Sequence, residues 1–232
     1  MRKTISTALA AGIGVAGSVA YFSPWLWRQY RMSRVKAELQ AQRILALTYD
    51  DGPSPALTPQ LLDLLRDRGA LATFFMLGRN AQQHPVLVDR VMREGHDIGC
   101  HSDRHLNAWK TSPWESVADI DAGYERLSAW MRPDGMFRPP HGKMTLPTFL
   151  SVRRRGAPVW WWTIDSGDTH RDLPTPGHVA DRLLQDGGGI VLMHDLDRTQ
   201  PRNDFVLEST ALLLDVAHRE SIQVKPLSQL CQ

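Results

Sequence analysis

The sequence is poor in cysteine and has no marked excess of charge of either sign. Its 232 residues include two cysteines, Cys100 and Cys231, which we interpret as unrelated thiols, so a disulfide-dense scaffold is excluded. The 27 basic residues nearly balance the 25 acidic ones, so nothing indicates a nucleic-acid-binding surface. The mean hydropathy of -0.32 excludes a protein with many membrane spans. A hydrophobic content of 42% is nevertheless enough for a core, which excludes overall disorder.

Charge is also absent from a long stretch near the amino terminus. No charged residue occurs between Lys3 and Arg28, and the 24 residues Thr4–Trp27 would span about 36 Å as a helix, enough for a bilayer core. A basic flank precedes this run and aromatic residues follow it, as at a membrane interface. We therefore predict that residues 1–40 form an uncleaved signal-anchor helix. A signal peptide cleaved at the small residues 18–20 and a soluble amphipathic extension are the alternatives.

The same segment bears on where the rest of the chain lies. Basic residues follow the apolar run at positions 28, 31, 34 and 36, and the positive-inside rule taken literally would keep the body in the cytoplasm. Large domains that follow an anchor often translocate regardless of local charge. We therefore expect a membrane-anchored protein of the cell envelope with an exported body. Secretion after cleavage and a position on the cytoplasmic face are the alternatives.

From Ile44 onward, short apolar runs alternate with amphipathic stretches. The apolar runs predict seven strands, at residues 44–49, 72–77, 96–100, 136–138, 159–164, 190–193 and 221–224. The amphipathic stretches predict helices at residues 59–67, 82–94, 116–131, 146–155, 177–185 and 205–220, the first of them capped by Thr58. Repeated strand–helix units indicate an α/β fold with a parallel sheet. Seven strands in one domain favour a closed or nearly closed barrel with outer helices.

Polar residues follow the predicted strands, where barrels of this kind carry their chemistry. The first cluster is Asp50-Asp51, followed by Gly52-Pro53. Because side chains alternate along a strand, the two carboxylates would point in roughly opposite directions. One could then bind a cation while the other stayed free as a base. Taken alone, the segment fits an ordinary turn somewhat better.

Two histidines follow the third predicted strand. His101 and His105 stand at positions i and i+4, on one face if the segment is helical, a spacing that suits a shared metal. With a carboxylate, they would form a two-histidine, one-carboxylate site that leaves positions for water or substrate. A metal held there would polarise a carbonyl and lower the pKa of water. A pair of surface histidines is the alternative.

Further clusters follow the later strands. Arg138, in Arg138-Pro139-Pro140-His141-Gly142, would orient a carboxylate through bidentate bonds, and the stiff loop would aim a backbone N–H at an oxyanion. His194 with an aspartate from residues 165–168 would form a carboxylate-supported imidazole suited to general acid catalysis. Each of these elements alone is also compatible with a surface loop or core. The tryptophans at 160–162 fit barrel packing better than a sugar platform.

Five motifs stand in register at the predicted strand ends: T-Y-D-D-G-P, H-S-x-x-H, R-P-P-H-G, D-S-G-D and L-M-H. Together they resemble the NodB-type polysaccharide deacetylases, carbohydrate esterase family 4, over about residues 43–230. The resemblance implies a NodB homology domain at residues 41–232 with a distorted (β/α) barrel of about seven parallel strands. It also implies a hydrolase that removes N-acetyl groups from amino sugars of a cell-envelope polysaccharide, oligosaccharide or lipid-linked glycan.

The resemblance also implies roles for individual residues at matching motif positions. Three residues would bind a divalent metal: Asp51, His101 and His105. We expect zinc, with cobalt, manganese and nickel as alternatives. Asp50 would be the general base, Arg138 its positioning partner, and His194 the general acid that Asp168 supports. The backbone N–H of His141 would stabilise the oxyanion, and three residues would line the substrate pocket: Leu192, Asp165 and Pro139.

Two positions depart from the family pattern. His141 stands where the family usually carries Tyr or Phe, and Thr169 stands where it usually carries Trp. Both changes affect the walls of the groove, which makes a small or lipid-linked glycan a plausible substrate beside a polymer. An amidohydrolase or deformylase acting on a non-polymeric amide, and an inactive membrane-tethered glycan-binding protein, are the other hypotheses. We expect a monomer with no nucleic-acid partner.

Overall fold

Residues 2–230 are described by a computed structural model of the chain, with side chains described from Tyr21 onward. This part of the chain forms six strands: β1 Ile44–Asp50, β2 Thr73–Met76, β3 Asp97–Cys100, β4 Ile164–Asp165, β5 Gly189–His194 and β6 Gln223–Val224. It also forms eight helices: α1 Arg2–Gln42, α2 Leu57–Asp67, α3 Gly78–Gln83, α4 Pro85–Arg93, α5 Pro113–Leu127, α6 Leu146–Arg154, α7 Pro176–Asp186 and α8 Gln200–Arg219. The predicted α/β class is confirmed.

The strands form one parallel sheet in the order β3-β2-β1-β5-β4, with β6 paired to the first residues of β1. β1 lies at the centre, and all seven of its residues are buried. Such a strand is apolar on both faces because neighbouring layers cover both of them. Asp50, the last residue of β1, is paired with Phe75 of β2 and His194 of β5. The polar strand ends therefore meet at one end of the sheet.

The prediction of seven strands is wrong, because the described residues form six. The predicted strand at 136–138 is reduced to single bridges that join Phe137 to Cys100 on one side and to Val159 on the other. Pro139 and Pro158 flank these bridges, and proline has no N–H to donate to a strand ladder. The bridges still connect β3 to the segment that leads into β4, and so bring the two edges of the sheet together.

The helix predicted at 82–94 is two helices, α3 and α4. The break falls at His84, whose φ of -128° and ψ of 54° are not helical. Pro85 explains the break, because proline lacks the N–H that would continue the helix and disfavours a helical residue before it. Pro85 is instead the first residue of α4, a position that proline favours.

The start of α2 is capped from a distant part of the chain. The helix begins at Leu57, one residue before the predicted cap, Thr58, so that prediction is wrong. The carboxylate of Asp197, between β5 and α8, accepts the N–H groups of Ala56 and Leu57 at 2.9 Å each. These are the unpaired donors that every helix start leaves, and the negative charge also suits the helix dipole.

We expect Asp197→Ala to lower the free energy of unfolding by about 1 kcal/mol, because it leaves these two N–H groups without their acceptor. Urea unfolding followed by circular dichroism measures this change. Asp181→Ala, at an exposed position on α7, is the matched control and should leave the stability within about 0.5 kcal/mol of the parent. Equal stabilities for the two variants would contradict the assigned cap.

The second half of α1 packs against the barrel. Met32 and Leu39 are buried in the hydrophobic core. The ring of Trp27 contacts the rings of Phe149 and Trp161 edge-on, at centroid distances of 4.9 and 5.6 Å. Residues 27–39 therefore contribute to the core of the body, and the division into residues 1–40 and 41–232 stays a prediction.

Two predictions concern the ends of the chain. Across the residues that the structure describes, no helix is long and apolar enough to cross a bilayer. The predicted span Thr4–Trp27 falls mainly on residues 4–20, whose side chains lie outside the description. Cys100 is a buried free thiol, while Cys231 lies outside the described residues, so their independence stays a prediction.

Candidate metal centre and active site

The carboxyl ends of β1 and β5 place four side chains on one face, three of which were predicted to belong to the site. Thr48 and Asp50 alternate along β1, and their partners in register on β5 are Leu192 and His194. Residues two apart in a strand point to the same side of the sheet. Leu192 therefore stands next to the pair formed by Asp50 and His194, on the side predicted to hold the substrate.

Three side chains from two loops converge beside this face. Asp51 follows β1, and His101 and His105 follow β3. Oδ1 of Asp51 is 3.5 Å from Nε2 of His101 and 3.4 Å from Nε2 of His105. Within residues 21–230, this is the one group of three His, Cys, Asp or Glu side chains whose ligand atoms all lie within 4.8 Å of one another. The structure thus brings together the three residues predicted to bind a metal.

The two histidines converge without a helix. Ser102 and His105 have φ angles of 66° and 63°, and Asp51 has a φ of 74°. These left-handed conformations cost of order 1 kcal/mol or more for residues with a side chain, and such strain is concentrated at functional sites. The Ser102 hydroxyl accepts the His105 N–H at 3.2 Å and so stabilises the turn.

The donor set fits a divalent metal, and zinc in particular. Oδ1 of Asp51 is buried and accepts no hydrogen bond from the described residues, a costly state for a carboxylate oxygen. His101 Nδ1 donates to the Arg138 carbonyl at 2.8 Å, which leaves Nε2 free to bind a metal. Burial lowers the pKa of His101 to about 3, so its imidazole is neutral, as a ligand must be. Two imidazole nitrogens and one carboxylate oxygen form a common set for catalytic zinc.

Asp50 is a buried carboxylate held by a buried guanidinium. Arg138, with 0% exposure, donates through Nη1 to Asp50 Oδ1 at 2.8 Å and to Thr48 Oγ1 at 2.6 Å. Burial raises the pKa of Asp50, and the Arg138 charge opposes this rise. Oδ2 of Asp50 lies 3.7 Å from His101 Nε2. One carboxylate oxygen is therefore fixed by Arg138, while the other faces the candidate metal ligands, an arrangement that suits a base.

His194 and Asp168 form a second ion pair at the same end of the sheet. His194 Nδ1 is 2.9 Å from Asp168 Oδ1, and the His194 backbone N–H donates to Asp168 Oδ2 at 2.9 Å. Burial of the imidazole acts to lower the pKa of His194, but the Asp168 carboxylate outweighs it and raises that pKa to about 9. The imidazole is therefore protonated at neutral pH, as a general acid requires.

We expect Asp168→Asn to lower the pKa of His194 by roughly 1–3 units, because burial is then opposed only by the weaker effects of Asp50 and Asp51. An NMR titration of the imidazole measures this shift, with Asp172→Asn in the following loop as the matched control. The folded-state pKa of about 9 lies above the ordinary 6.5, so the pair stabilises the fold fully below pH 6.5. That contribution is lost as the pH rises through about 9. An unchanged His194 titration in Asp168→Asn would contradict the assigned pair.

The loop after Arg138 lies against the candidate ligands. His141 is exposed, has a φ of 55°, and its ring lies 4.3 Å from the His105 ring. The neighbouring Gly142 carbonyl accepts hydrogen bonds from Trp161 Nε1 at 3.0 Å and from Arg28 Nη1 at 3.2 Å. Arg28 belongs to α1, so the sequence interpretation did not anticipate its contact with this loop.

The residues predicted to line the substrate pocket differ in their surroundings. Leu192 is buried on the same face as His194, as described above. Pro139 is also buried, directly after Arg138. Asp165 is exposed, and its Oδ1 accepts the Gly167 N–H at 2.9 Å, so its carboxylate stabilises the turn that leads to Asp168.

One buried acid beside the site escaped the sequence interpretation. Asp195 donates its backbone N–H to the Asp50 carbonyl at 2.7 Å, and its carboxylate accepts the hydroxyls of Ser54 at 3.1 Å and Thr58 at 2.6 Å. Burial raises its pKa to about 7. The carboxylate also approaches Gly52 so closely that a Cβ there would collide with it. Its only signal in the sequence is its place after His194 at a strand end.

Comparisons with known proteins agree with this geometry. A family model described as polysaccharide deacetylase matches residues 38–160. The chain is 39% identical over 167 residues to a peptidoglycan-N-acetylglucosamine deacetylase of Bacillus cereus, a match that covers 68% of this chain and 76% of that protein. It is 28% identical over 220 residues to a chitooligosaccharide deacetylase of Bradyrhizobium, a match that covers 87% and 96% of the two chains.

A solved structure shows the same fold. The peptidoglycan deacetylase PdaC from Bacillus subtilis superposes with a TM-score of 0.69 at 28% identity, over 82% of this chain and 91% of that one. Some relatives are much longer, and the chain spans only 33% and 37% of the length of two of them.

Proposed function

The chain belongs to the polysaccharide deacetylase family, and on that premise we propose that it is a metal-dependent hydrolase that removes N-acetyl groups from amino sugars of a cell-envelope glycan. One observation carries the proposal. The candidate ligands Asp51, His101 and His105 lie beside two ion pairs, Asp50–Arg138 and His194–Asp168, at the same strand ends. A glycan-binding protein would need neither a buried base with its own guanidinium nor a protonated imidazole.

The metal would be held by Asp51, His101 and His105. When bound, a zinc ion at these residues polarises a carbonyl and makes water a stronger acid. The neutral state of His101 and the unpaired oxygen of Asp51 support this assignment. We propose zinc because two nitrogens and one oxygen are its usual catalytic ligands, with cobalt, manganese and nickel as alternatives.

The chain's own side chains supply the proton transfers of amide hydrolysis. Asp50 accepts a proton from the attacking water, whose hydroxyl adds to the carbonyl carbon, while Arg138 keeps the carboxylate in place. We propose that the backbone N–H of His141 donates to the resulting oxyanion. His194 then gives its proton to the amide nitrogen as the C–N bond breaks, which releases acetate and a free amine. Asp168 keeps His194 protonated until that step.

The named relatives act on peptidoglycan and on chitooligosaccharides, and we propose an N-acetylated amino sugar as the substrate here. Two exposed side chains beside the site distinguish this chain from the family pattern, His141 and Thr169. Because neither is a large hydrophobic residue, the groove has less apolar surface for stacking a long polymer. A short or lipid-linked glycan is therefore included in the proposal.

We propose that the chain is anchored in the membrane through its amino-terminal segment, with the catalytic residues exported to the cell envelope. The uncharged run Thr4–Trp27 and its basic flank support the anchor. We also propose a monomer, since one chain supplies every residue of the candidate site.

Acetate release tests the proposed activity. The purified full chain, loaded with zinc or cobalt, is incubated with N-acetylglucosamine oligomers, peptidoglycan fragments and lipid-linked N-acetylated sugars. We expect acetate from at least one of them, and none after chelation. A metal-loaded protein that releases no acetate from any glycan, yet hydrolyses formylated or acetylated non-sugar amines, would contradict the glycan substrate.

A further inference from the structure

In the direction of the chain, α1 runs along the barrel from the carboxyl ends of the strands to their amino ends, where β1 begins. Near the end of α1, Lys36 Nζ is 2.9 Å from Asp186, just before β5 begins. Two turns nearer the amino terminus, Arg28 contacts the Gly142 carbonyl in the active-site loop. Tyr21 lies a further two turns on. Followed towards its amino terminus, the helix therefore leads to the active-site end of the molecule. The apolar residues at the start of α1 precede Tyr21 in the sequence.

Exposed aromatic side chains occur on α1 and on the segment after β3, and the two segments are in contact near the active-site loop. Within residues 21–230, six aromatic side chains are exposed, and we call them the aromatic patch: Tyr21, Phe22, Trp25, Tyr30, Trp109 and Trp114. They lie in α1, in the loop between β3 and α5, and at the start of α5. The rings of Tyr21 and Trp109 are 6.3 Å apart, so α1 and the loop are in contact. Trp114 is 82% exposed, an unusual state for a tryptophan.

Basic side chains accompany the aromatic patch. Lys143 Nζ lies 5.0 Å from the centre of the Trp109 ring, and Arg34 lies 5.9 Å from the centre of the Tyr30 ring. Lys110 is exposed directly after Trp109. Tryptophan and tyrosine beside lysine and arginine is the combination found where proteins meet the headgroups of a bilayer. The positive charges would also attract anionic lipids.

We infer that the active-site end of the barrel rests on a bilayer surface through the aromatic patch, with the apolar start of α1 in the bilayer. Two features support this orientation: the direction of α1, and the exposed tryptophans outside α1, Trp109 and Trp114. A helix that left from the opposite end of the barrel would point the active site away from the membrane. The direction of α1 instead places the catalytic residues close to the headgroups.

This orientation, which rests on the proposed function, narrows the substrate class. An active site beside the headgroups reaches an N-acetylated sugar attached to a membrane lipid without leaving the surface. Confinement of enzyme and sugar to one surface raises their effective concentration. The inferred substrate is therefore a lipid-linked amino sugar, in preference to a free oligosaccharide in solution.

Fluorescence quenching tests the orientation. The full chain with Cys231→Ser is labelled with an environment-sensitive dye at Lys110→Cys, beside the aromatic patch, or at Arg219→Cys, at the far end of α8. Each protein is then reconstituted in phosphatidylglycerol and phosphatidylcholine vesicles that carry a headgroup quencher. We expect strong quenching at position 110 and little at 219. Equal quenching at the two positions, stronger quenching at 219, or no binding to the vesicles would overturn the inference.

Activity measurements test the substrate class and separate it from the proposed function. On vesicles, we expect kcat/KM for a lipid-linked N-acetylglucosamine to exceed that for the same sugar in a soluble oligomer by roughly tenfold. Phe22→Ser with Trp114→Ser should reduce this preference and leave acetate release from the soluble oligomer unchanged. Equal rates on both substrates would overturn the inference while the deacetylase function stood. Acetate from neither substrate would contradict the proposed function itself.

Discussion

Asp50→Asn is expected to lower kcat/KM for acetate release by about a thousandfold while the protein still binds its metal. The amide keeps the size of the carboxylate and can accept the Arg138 hydrogen bond, but it cannot take a proton from water. Removal of a general base costs roughly 10²–10⁴ in rate. Acetate release under saturating zinc, together with metal content by mass spectrometry, measures both properties.

Asp204→Asn provides the control, because Asp204 is a carboxylate on α8 that accepts a hydrogen bond from Gln200 at 2.7 Å, within its own helix. It should keep the parent activity. A fully active Asp50→Asn enzyme would show that the base lies elsewhere. Loss of both activity and metal would instead place Asp50 among the ligands. The experiment must distinguish these outcomes because Oδ2 of Asp50 lies only 3.7 Å from Nε2 of His101.

His105→Ala should weaken zinc binding by roughly a hundredfold or more and remove activity at limiting zinc. His105 is one of the two imidazoles that face Asp51 Oδ1, so its loss leaves a single nitrogen and a carboxylate. Zinc titration by isothermal calorimetry measures the affinity, and activity in a zinc-buffered solution gives an independent value.

His141→Ala is the matched control for the metal site. The His141 ring lies 4.3 Å from the His105 ring, but it is not part of the three-residue set. It should bind zinc with nearly the parent affinity, and any loss of activity should appear in KM. If His141→Ala lost zinc as His105→Ala does, the ligand set would have to include His141.

The candidate site was more predictable from sequence than the strands that carry it. Asp50-Asp51 and His101 with His105 could be placed together because parallel strands end at one side of a sheet, and short motifs mark those ends. The loss of the predicted strand at 136–138 was harder to predict from the sequence. Its apolar residues have the pattern of a strand, yet the prolines beside Phe137 and Val159 leave only single bridges.

Contacts between distant segments account for what the sequence could not predict. The acceptor that caps α2 is Asp197, which is 140 residues from Leu57 in the sequence. No sequence motif links these two positions. Arg28 reaches Gly142 from a helix that composition alone assigns to a separate anchor. Local patterns report on neighbours in the chain, whereas these interactions depend on which surfaces the finished barrel brings together.

The close approach of Gly52 to Asp195 makes the effect of a substitution at one position depend on the residue at the other. Gly52 adopts no left-handed conformation, so its glycine is explained by the absence of space beside the buried carboxylate rather than by the turn. A side chain at position 52 is compatible only with a smaller residue at position 195. Substitutions there are therefore expected to be epistatic: Gly52→Ala should cost less stability in an Asp195→Gly background than in the parent sequence. The glycine of the first motif is thus required by its packing partner on the neighbouring strand end as well as by the chemistry it flanks.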